Sequence, residues 1–570
     1  MQRFETLTEF ATEDRIISLV AKERGKYTAK NGGSANPFRS DPLFIRLREL
    51  TPPHKLWSNP GRGKLPKKED KGLGRWTCRK KRASVRVYQA AKRHIGKEPS
   101  EPWKENLKEF IRDIQDTLSG KSALVLETPR ILAKFKEQEG ADFIFRPICK
   151  YSDLKTKIIL ALTYQYILAM FDRFFHKDML FMRAARRTGR HKYSVPKFLD
   201  AIDMISGYRR KHGFDTIYVG ECDIQKFYDI FNHDVIMECF EDLFEEAVKK
   251  YNVSGSDFDP LRNVIRSYLA SFNFPEHVMG RNCDPGFWRG EIQRRRKGDG
   301  PDPVCRFKWV DEKAFVSSGC YSPEEFRAAV DGKKLGIPQG GALSGIIVNV
   351  VMRVVDKPVV GGEDHERLFI RYCDDIMLMH TDEECCRRYL DAYHESLVAC
   401  KLIPHPRKNV SDFKSGKKTR EGFWHSKSKN VYRWGSGSGD ASDWVAFVGY
   451  EMRRTGQIRI RKDKVDAEFK RIARRYYDII CSNAARSGEP LSGTVQQDLM
   501  KRMDSLPAHI LDYEKAGNNK YTLSQARRLD KYLYRKSRQA AARIGMAEPE
   551  KAAKQRATYR KCVSSLSRDV

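Results

Sequence analysis

Two adjacent carboxylates stand between two apolar runs, and this arrangement most constrains how the chain can fold. Asp374 and Asp375 follow the apolar run 368–370 and precede the apolar run 376–379. Two short apolar runs separated by a few polar residues predict a β-hairpin, here with the acids at its tip. Like charges side by side in an apolar hairpin are costly unless a cation compensates them, and hard oxygen ligands on a rigid turn suit magnesium. An ordinary exposed hairpin with an acidic turn explains the same residues equally well.

Three further segments accompany this hairpin, and each has a purely structural explanation of its own. The apolar run 216–219 leads into Asp223, as a strand end followed by core aromatics would. The segment 336–344, Gly-Ile-Pro-Gln-Gly-Gly-Ala-Leu-Ser, is a turn rich in Pro and Gly that opens an apolar helix over 346–352. Residues 447–450, after the hairpin, are Phe-Val-Gly-Tyr.

Taken in this order, the four segments resemble the palm motifs of reverse transcriptases, of the bacterial type related to group II intron and defence-associated enzymes. The resemblance covers roughly residues 145–464 and begins at 145–148, Phe-Arg-Pro-Ile, which looks like the fingers motif. Where the family commonly continues with a Gly-Ile-Pro turn, this chain has Cys149 and Lys150. The resemblance implies an α+β right-hand polymerase, with fingers and a palm whose antiparallel sheet packs on helices, a helical thumb and a basic N-terminal extension.

The resemblance assigns the acidic residues to a two-metal centre. Joining a nucleotide to a 3′-hydroxyl needs an activated oxygen and a stabilised leaving group, and two Mg²⁺ ions about 3.5–4 Å apart serve both needs. Asp223 and Asp374 are expected to bridge the ions, with the carbonyl of Ile224 as a further ligand on the nucleotide side. Asp375 alternates to the other side of its strand, so we expect it to assist rather than bridge.

The nucleotide-binding residues also follow from the family's motifs. Arg146 is expected to meet the triphosphate, and Tyr228 to lie under the sugar as a gate against a 2′-hydroxyl. Gln339 and Gly340 are expected to line the nucleotide and template pocket, and Lys408 to stand near the departing pyrophosphate. Two alternatives stay open: Tyr228 packs in the core, and Lys408 is an ordinary solvated lysine.

The end of the resemblance concerns the primer. Phe447, Gly449 and Tyr450 are expected to form a hairpin that grips the primer end, with residues 458–460 as its return strand. From residue 461 onward the pattern is helical and basic, which is where the family's thumb falls.

The charge and the cysteine content limit which binding partners and which cellular compartment are expected. Lys and Arg number 107 against 75 Asp and Glu, a net charge of +32, which favours a polyanionic partner. The apolar stretches are short or interrupted, the N-terminus has no secretory pattern, and the 13 cysteines include no Cys-x-x-Cys. We therefore expect a reduced, cytoplasmic protein that does not enter a membrane.

Four regions are predicted along the chain. Residues 1–135 form a basic N-terminal extension, in which helices are expected over 6–21 and 103–118. Its Pro-, Gly- and Lys/Arg-rich part, 52–97, carries interleaved aromatics that suit structured RNA, with a solvated flexible linker as the alternative. The other three regions are fingers and the start of the palm at 136–222, palm at 223–460 with an insert at about 234–333, and thumb with the C-terminal region at 461–570. The sequence does not decide whether the insert binds RNA or mediates self-association, so a homo-oligomer also stays open.

The function implied by the resemblance is synthesis of DNA from dNTPs on an RNA template. The chain's long private extensions, together with the absence of a recognisable mobility nuclease, resemble the bacterial reverse transcriptases linked to phage defence. Because some members of that group work with a dedicated non-coding RNA, the resemblance implies a structured non-coding RNA as template and a role in bacterial antiphage defence. Some members start synthesis on a protein hydroxyl, for which the exposed candidates would be Tyr532, Tyr534, Tyr559 and Ser564. Two alternatives stay open: an intron-encoded reverse transcriptase and maturase, and a non-catalytic RNA-binding scaffold.

Overall fold

The computed structural model describes residues 4–27, 41–57, 75–184, 198–296, 302–310, 312–412, 423, 426–436, 440–461 and 467. The chain divides into two compact units. The first unit comprises Met1–Val20 and Ser100–Ser442, and the second comprises Ala21–Pro99 and Asp443–Val570. The predicted region boundaries at 135, 222 and 460 stay predictions.

The described residues form the following elements, in chain order. The helices are α1 Leu7–Phe10, α2 Glu13–Gly25, α3 Pro42–Glu49, α4 Arg75–His94, α5 Pro102–Leu118, α6 Leu154–Phe171, α7 Phe198–Lys211, α8 Phe227–Ile230, α9 His233–Tyr251, α10 Asp259–Ala270, α11 Phe274–His277, α12 Pro285–Arg295, α13 Glu312–Ser317, α14 Pro323–Asp331, α15 Ser344–Val360 and α16 Glu383–Ala399. The strands are β1 Arg130–Glu139, β2 Asp142–Lys150, β3 Tyr218–Cys222, β4 Cys305–Phe307, β5 Leu368–Tyr372, β6 Asp375–His380, β7 Arg407–Lys408, β8 Ser428–Trp434, β9 Ala441–Ser442, β10 Trp444–Phe447, β11 Tyr450–Arg453 and β12 Ile458–Ile460.

A six-stranded sheet forms the centre of the first unit. Its order is β5-β6-β3-β8-β7, with β9 pairing β8 at one side. The central strand β3 runs antiparallel to both of its neighbours, β6 and β8. Helix α16 packs closely on β3, because a Cβ on Gly220 would lie 2.9 Å from Leu390 Cδ2. The predicted α+β class, with an antiparallel palm sheet packed on helices, is confirmed.

Helix α15 is the buried helix expected after the Pro/Gly-rich turn. It carries apolar side chains on nearly every face, and residues 344–353 are all buried. A helix that is apolar all round belongs in a core rather than at a surface. It packs against α9 and α16. The helix is longer at both ends than the predicted segment 346–352.

A three-stranded sheet joins the β1–β2 hairpin, in the region predicted as fingers, to a strand from the predicted insert. Strand β4 pairs parallel with β2, with Phe145 opposite Phe307. Trp288 of α12 packs its ring within 5.0 Å of Phe145 and 4.9 Å of Phe307, measured between ring centroids. Helix α9, from the same insert, contacts α15. The described part of the segment 234–333 therefore packs against β2 and α15.

The N-terminal helix expected over 6–21 is two helices. The hydroxyl of Thr6 caps α1, which ends at Phe10. The hydroxyl of Thr12 then accepts the Arg15 N–H at 3.3 Å, as the cap of a new helix would. The expected helix over 103–118 is confirmed as α5.

The second unit contains α3, α4 and the three-stranded meander β10-β11-β12. The hairpin predicted over 447–450 and its return strand at 458–460 are confirmed as secondary structure. Helix α4 occupies residues 75–94 of the stretch interpreted as an RNA-binding segment or a flexible linker, with Val87, Ala90 and Ala91 buried on its apolar face. Nearly all of the predicted thumb and all four candidate priming hydroxyls lie outside the described residues.

One helix bears on the expectation that the apolar stretches are too short or interrupted to span a bilayer. Residues Leu154–Phe174, which include α6, have the length and apolar composition of a membrane span. Much of this helix is buried inside the protein, including Ile159, Leu162 and Tyr166. A core helix of a soluble protein has the same two properties.

Candidate active site

The predicted acidic turn is a two-residue hairpin loop. Tyr372 pairs with Asp375, so that Cys373 and Asp374 form the loop between β5 and β6. Cys373 has a φ of 65°, a conformation that side chains other than glycine adopt at a cost. The guanidinium Nη1 of Arg371 donates a hydrogen bond to the Cys373 carbonyl at 3.1 Å and helps to hold this loop.

The sheet register brings Asp223 to the same place. Antiparallel pairing of β3 and β6 ends with Cys222 opposite Ile376, so the next step along both strands sets Asp223 beside Asp375. Burial and then the neighbouring Asp223 raise the pKa of Asp374. Asp375 reaches solvent, yet the protein atoms around its carboxyl, together with Asp374 and Asp223, raise its pKa to about 7. Three acids from two distant segments thus act on one another electrostatically.

The backbone around Asp223 is fixed on both sides. Its N–H donates to Ser428 Oγ at 2.9 Å, and its carbonyl accepts the His405 N–H at 2.8 Å. Ile224 forms an antiparallel bridge with Pro404. The hydrogen bonds of this bridge are made by the residues on either side, so the Ile224 carbonyl accepts none of them. That carbonyl remains a proposed metal ligand.

Lys427 contacts the site and was not predicted. Its ammonium lies 2.8 Å from Asp223 Oδ2, just before β8 begins. Burial lowers the pKa of this lysine and the carboxylates of Asp223, Asp375 and Asp374 raise it, and the net effect is a rise. The predicted Lys408 is instead exposed on β7, which pairs with β8 and not with β3.

The three aspartates fit divalent metal ions by their chemistry. Carboxylate oxygens are hard ligands, and burial, followed by the repulsion of the neighbouring carboxylates, raises the pKa of Asp374 and Asp375, a cost of ionisation that a bound cation would offset. Among the described residues, triads of ligand atoms within 4.8 Å of one another occur at His212/Asp215/Glu366 and His380/Asp382/Cys385, at the other end of the hairpin. The ligand oxygens of the three aspartates do not all lie within 4.8 Å of one another, so they are farther apart than the atoms of such a triad. Carboxylates that clamp two ions about 3.5–4 Å apart must span a wider gap than ligands of one ion.

Tyr228 lies beside the acidic turn. Its hydroxyl is 3.6 Å from Cys373 Sγ, and its carbonyl accepts the Ile337 N–H at 2.8 Å. The ring therefore stands between the acidic turn and the Pro/Gly-rich loop and is half-buried there. Burial raises the pKa of its hydroxyl, which stays neutral. This position is compatible with the predicted gate, and the role itself remains a proposal.

The Pro/Gly-rich loop docks against the fingers. The Gln339 carbonyl accepts the Cys149 N–H at 2.8 Å. Gly340 has a φ of 95°, and a Cβ there would lie 3.4 Å from the Cys149 carbonyl oxygen, so glycine suits both the turn and the close approach. Arg146 is exposed on β2, three residues before Cys149. Gln339 and Gly340 thus contact β2 at Cys149, and Arg146 lies three residues earlier on the same strand.

Asp229, next to Tyr228, is a further acid that was not predicted as a site residue. Its carboxyl is buried, which raises its pKa to about 7, while the charges of Lys226, Arg146 and Lys136 oppose the rise. A buried carboxyl with a perturbed pKa beside a proposed nucleotide pocket is typical of functional sites.

The predicted primer grip lies in the second unit. Phe447 pairs with Tyr450 across a turn in which Val448 has a φ of 45° and Gly449 a φ of 88°. The geometry is that of a tight hairpin, as expected for the three residues. Their role at a primer end stays a prediction.

A family comparison bears on this site. Residues 313–424 match the family model described as reverse transcriptase (RNA-dependent DNA polymerase). The match contains Gln339, Gly340, Asp374 and Asp375, and Asp223 precedes it. The chain therefore carries a reverse transcriptase domain, the domain that gives RNA-directed DNA polymerases their activity. No curated protein matches the sequence.

The solved structures that are distantly similar include three of telomerases. Apo telomerase from Candida tropicalis truncated from the C-terminal domain shares 12% identity over 68% of this chain and 69% of that one, with a TM-score of 0.29. Telomerase from Candida albicans in complex with the TWJ fragment of telomeric RNA shares 13% identity over 93% and 76%, with a TM-score of 0.30. Apo telomerase from Candida tropicalis shares 12% identity over 98% and 91%, with a TM-score of 0.31. Similarity this distant carries no argument about mechanism.

Proposed function

We propose that this protein synthesises DNA on an RNA template by two-metal nucleotidyl transfer with Mg²⁺. The observation that carries the proposal is the register of β3, β5 and β6, which sets Asp223 beside the turn that bears Asp374 and Asp375. The match to a reverse transcriptase family model over 313–424 supports the same reaction.

The acidic residues would hold the metal ions. Asp223, just after β3, and Asp374, in the loop between β5 and β6, would together hold the two ions, with the Ile224 carbonyl as a further ligand. Asp375 would assist from the edge of the centre. The ions, when bound, activate the 3′-hydroxyl and stabilise the pyrophosphate. Lys427 neutralises Asp223 until a cation replaces it.

The surrounding residues would select and orient the nucleotide. Tyr228 would exclude a 2′-hydroxyl by its position against the acidic turn. Arg146 would bind the triphosphate, and the Gln339–Gly340 backbone would approach the base pair. Lys408 stays the proposed partner of the leaving pyrophosphate, although Lys427 is the lysine that contacts Asp223.

A direct assay tests the reaction. Purified protein with its co-purified RNA is given Mg²⁺ and each labelled dNTP in turn, and incorporation is measured. Asp374→Asn should abolish incorporation, and so should removal of Mg²⁺ by chelation. Asp331→Asn, which removes an exposed acid at the end of α14, is the matched control and should leave incorporation intact. Incorporation that survives Asp374→Asn would refute the proposal in favour of a contaminating polymerase, and absence of incorporation would favour a non-catalytic scaffold.

We further propose that the template is a structured non-coding RNA and that the enzyme acts in the bacterial cytoplasm in defence against phage. The charge of +32 supports a nucleic-acid partner of considerable size. Sequencing of RNA that co-purifies with the protein tests the template, and phage plating on cells with wild-type or Asp374→Asn protein tests the role. An intron flanking the coding region would instead favour an intron-encoded enzyme.

Protein priming is a separate proposal. DNA begun on a hydroxyl of Tyr532, Tyr534, Tyr559 or Ser564 would stay attached after denaturation and be released by protease. Labelled product that runs free without protease excludes it. The same preparation, measured by mass photometry, reports whether the enzyme is a homo-oligomer.

A further inference from the structure

The turn at residues 226–229 carries Tyr228 and begins in an unfavourable backbone conformation. Lys226 has a φ of 48°, in the left-handed region that side chains other than glycine adopt at a cost. The Lys226 carbonyl accepts the Asp229 N–H at 2.7 Å, which closes the turn, and the Tyr228 carbonyl accepts the Ile337 N–H from the Pro/Gly-rich loop. Backbone in such a conformation persists only where the surrounding structure holds it.

The predicted insert also holds this turn, and it does so at two points. The Lys226 ammonium donates to the Lys308 carbonyl at 2.6 Å, and the indole Nε1 of Trp309 donates to the Asp229 carbonyl at 3.3 Å. Lys308 and Trp309 directly follow β4, so two consecutive residues of the insert contact the first and the last residue of the turn. The turn is thus bonded to two separate segments, the Pro/Gly-rich loop and the end of β4.

The end of β4 is itself anchored by polar and aromatic contacts. The backbone of Phe307 exchanges two hydrogen bonds with the side-chain amide of Asn282, at 2.8 and 2.9 Å. The Trp309 ring packs against Phe274 and Phe315, with ring centroids 5.5 and 5.6 Å apart. A side chain that is locked by packing can hold its hydrogen-bond partner in a defined place.

We propose that Trp309 is a positioning residue for sugar selection: through the Asp229 carbonyl it holds the turn so that the Tyr228 ring stays against the acidic turn. Lys226, bonded to the Lys308 carbonyl, holds the start of the same turn. Trp309 acts through the turn and does not touch the nucleotide. The inference rests on the proposed function and deepens it, because it gives the insert a part in the selection of dNTPs.

The first measurement is the ratio of kcat/KM for a dNTP to kcat/KM for the matching NTP. Trp309→Phe keeps an aromatic ring and removes the N–H donor, so this ratio should fall by about 2- to 10-fold, the range that loss of one hydrogen bond allows. A variant that only folded less well would lower both values equally and leave the ratio unchanged.

Trp288→Phe is the matched control. It removes an indole from the same aromatic cluster, but the Trp288 Nε1 donates to the Arg281 carbonyl, at 2.8 Å, and not to the turn. Its selectivity ratio should therefore stay at the wild-type value, whatever its effect on stability.

The second measurement does not depend on activity. Amide hydrogen exchange of the peptide that covers 226–231 is followed in the intact protein by mass spectrometry. The Asp229 N–H, which closes the turn, should exchange severalfold faster in Trp309→Phe, because local opening becomes easier when the turn loses a contact. Exchange of this peptide should not change in Trp288→Phe.

Lys226→Met tests the same turn with the aromatic cluster intact. It removes the bond to the Lys308 carbonyl, so the selectivity ratio should fall and the exchange should accelerate, as in Trp309→Phe. Any contact of the Lys226 ammonium with a triphosphate is common to dNTP and NTP, so its loss cancels in the ratio.

A wild-type ratio or wild-type exchange in folded Trp309→Phe overturns the proposal, and so does an equal change in Trp288→Phe. If Trp309→Phe does not fold, a wild-type ratio in Lys226→Met overturns it. Failure of the proposed function looks different, since the wild-type protein would then incorporate neither dNTP nor NTP, and the role in selectivity would fail with it. DNA synthesis by the wild type with an unchanged ratio in Trp309→Phe refutes this inference alone.

Discussion

The Arg371 guanidinium lies 2.8 Å from the Asp356 carboxylate, and both side chains are completely excluded from solvent. Arg371 belongs to β5 and Asp356 to α15, so the pair ties the buried helix to the strand that ends in the acidic turn. The same guanidinium donates to the Cys373 carbonyl and, at 3.4 Å, to Asn349 Oδ1. A single buried cation thereby positions the loop that carries Asp374.

Breaking this pair should damage both stability and turnover. Asp356→Asn leaves the Arg371 charge buried without a counter-ion, and loss of one partner of a buried pair costs about 3–5 kcal/mol. Arg371→Met combined with Asp356→Leu removes both charges and should recover much of the stability. It cannot restore the bond to the Cys373 carbonyl, so kcat for dNTP incorporation should stay low while KM changes little. Chemical denaturation and steady-state kinetics measure the two effects. A double variant with wild-type kcat would show that the pair only stabilises the fold.

Tyr228 should control sugar selectivity through the volume of its ring. Tyr228→Ala opens space beside the acidic turn and should admit ribonucleotides, measured as the ratio of kcat/KM for dNTP and NTP. Tyr228→Phe is the matched control: it keeps the ring and loses only the contact to Cys373 Sγ, so selectivity should persist. Unchanged selectivity in the alanine variant would return Tyr228 to a packing role.

Much of the architecture follows from local sequence patterns. The hairpin at 368–379, the helix α15 and the meander after residue 444 are set by apolar periodicity and turn residues close together in the chain. Lys427 could not be found in this way, because it meets Asp223 across 204 residues through the pairing of β3 with β8. Strand β4 is a similar case, since its three residues are recognisable as a strand only when paired with β2.

Asp229 should make stability depend on pH. Burial raises its pKa to about 7, against about 3.9 in an unfolded chain, although the cations Lys226, Arg146 and Lys136 oppose the rise. Between these two pH values the folded state keeps a proton that the unfolded chain releases, so stability falls as the pH rises. The contribution is at most about 1.4 kcal/mol per pH unit.

Asp229→Asn should remove that slope. The variant should therefore gain stability relative to wild type as the pH rises from about 4 to about 7, and the difference should level off above this range. Denaturation midpoints of the two proteins across this window measure it. Asp331→Asn, at an exposed site, should follow the wild-type curve. Parallel curves for Asp229→Asn and wild type would show that Asp229 is ionised throughout.

Lys427 should compete with metal ions for Asp223. Its ammonium occupies Asp223 Oδ2 and is largely exposed, so the pair contributes only about 0.2–1 kcal/mol. Lys427→Met removes the competitor, and the Mg²⁺ concentration for half-maximal DNA synthesis should fall by a small factor, about 1.5- to 5-fold for that energy. Lys427→Arg keeps the charge and should stay near wild type. If the methionine variant instead needs more Mg²⁺, Lys427 binds the triphosphate. Loss of such a contact would weaken binding of the metal-bound nucleotide, whereas loss of a competitor makes the Asp223 carboxylate more available to the metal.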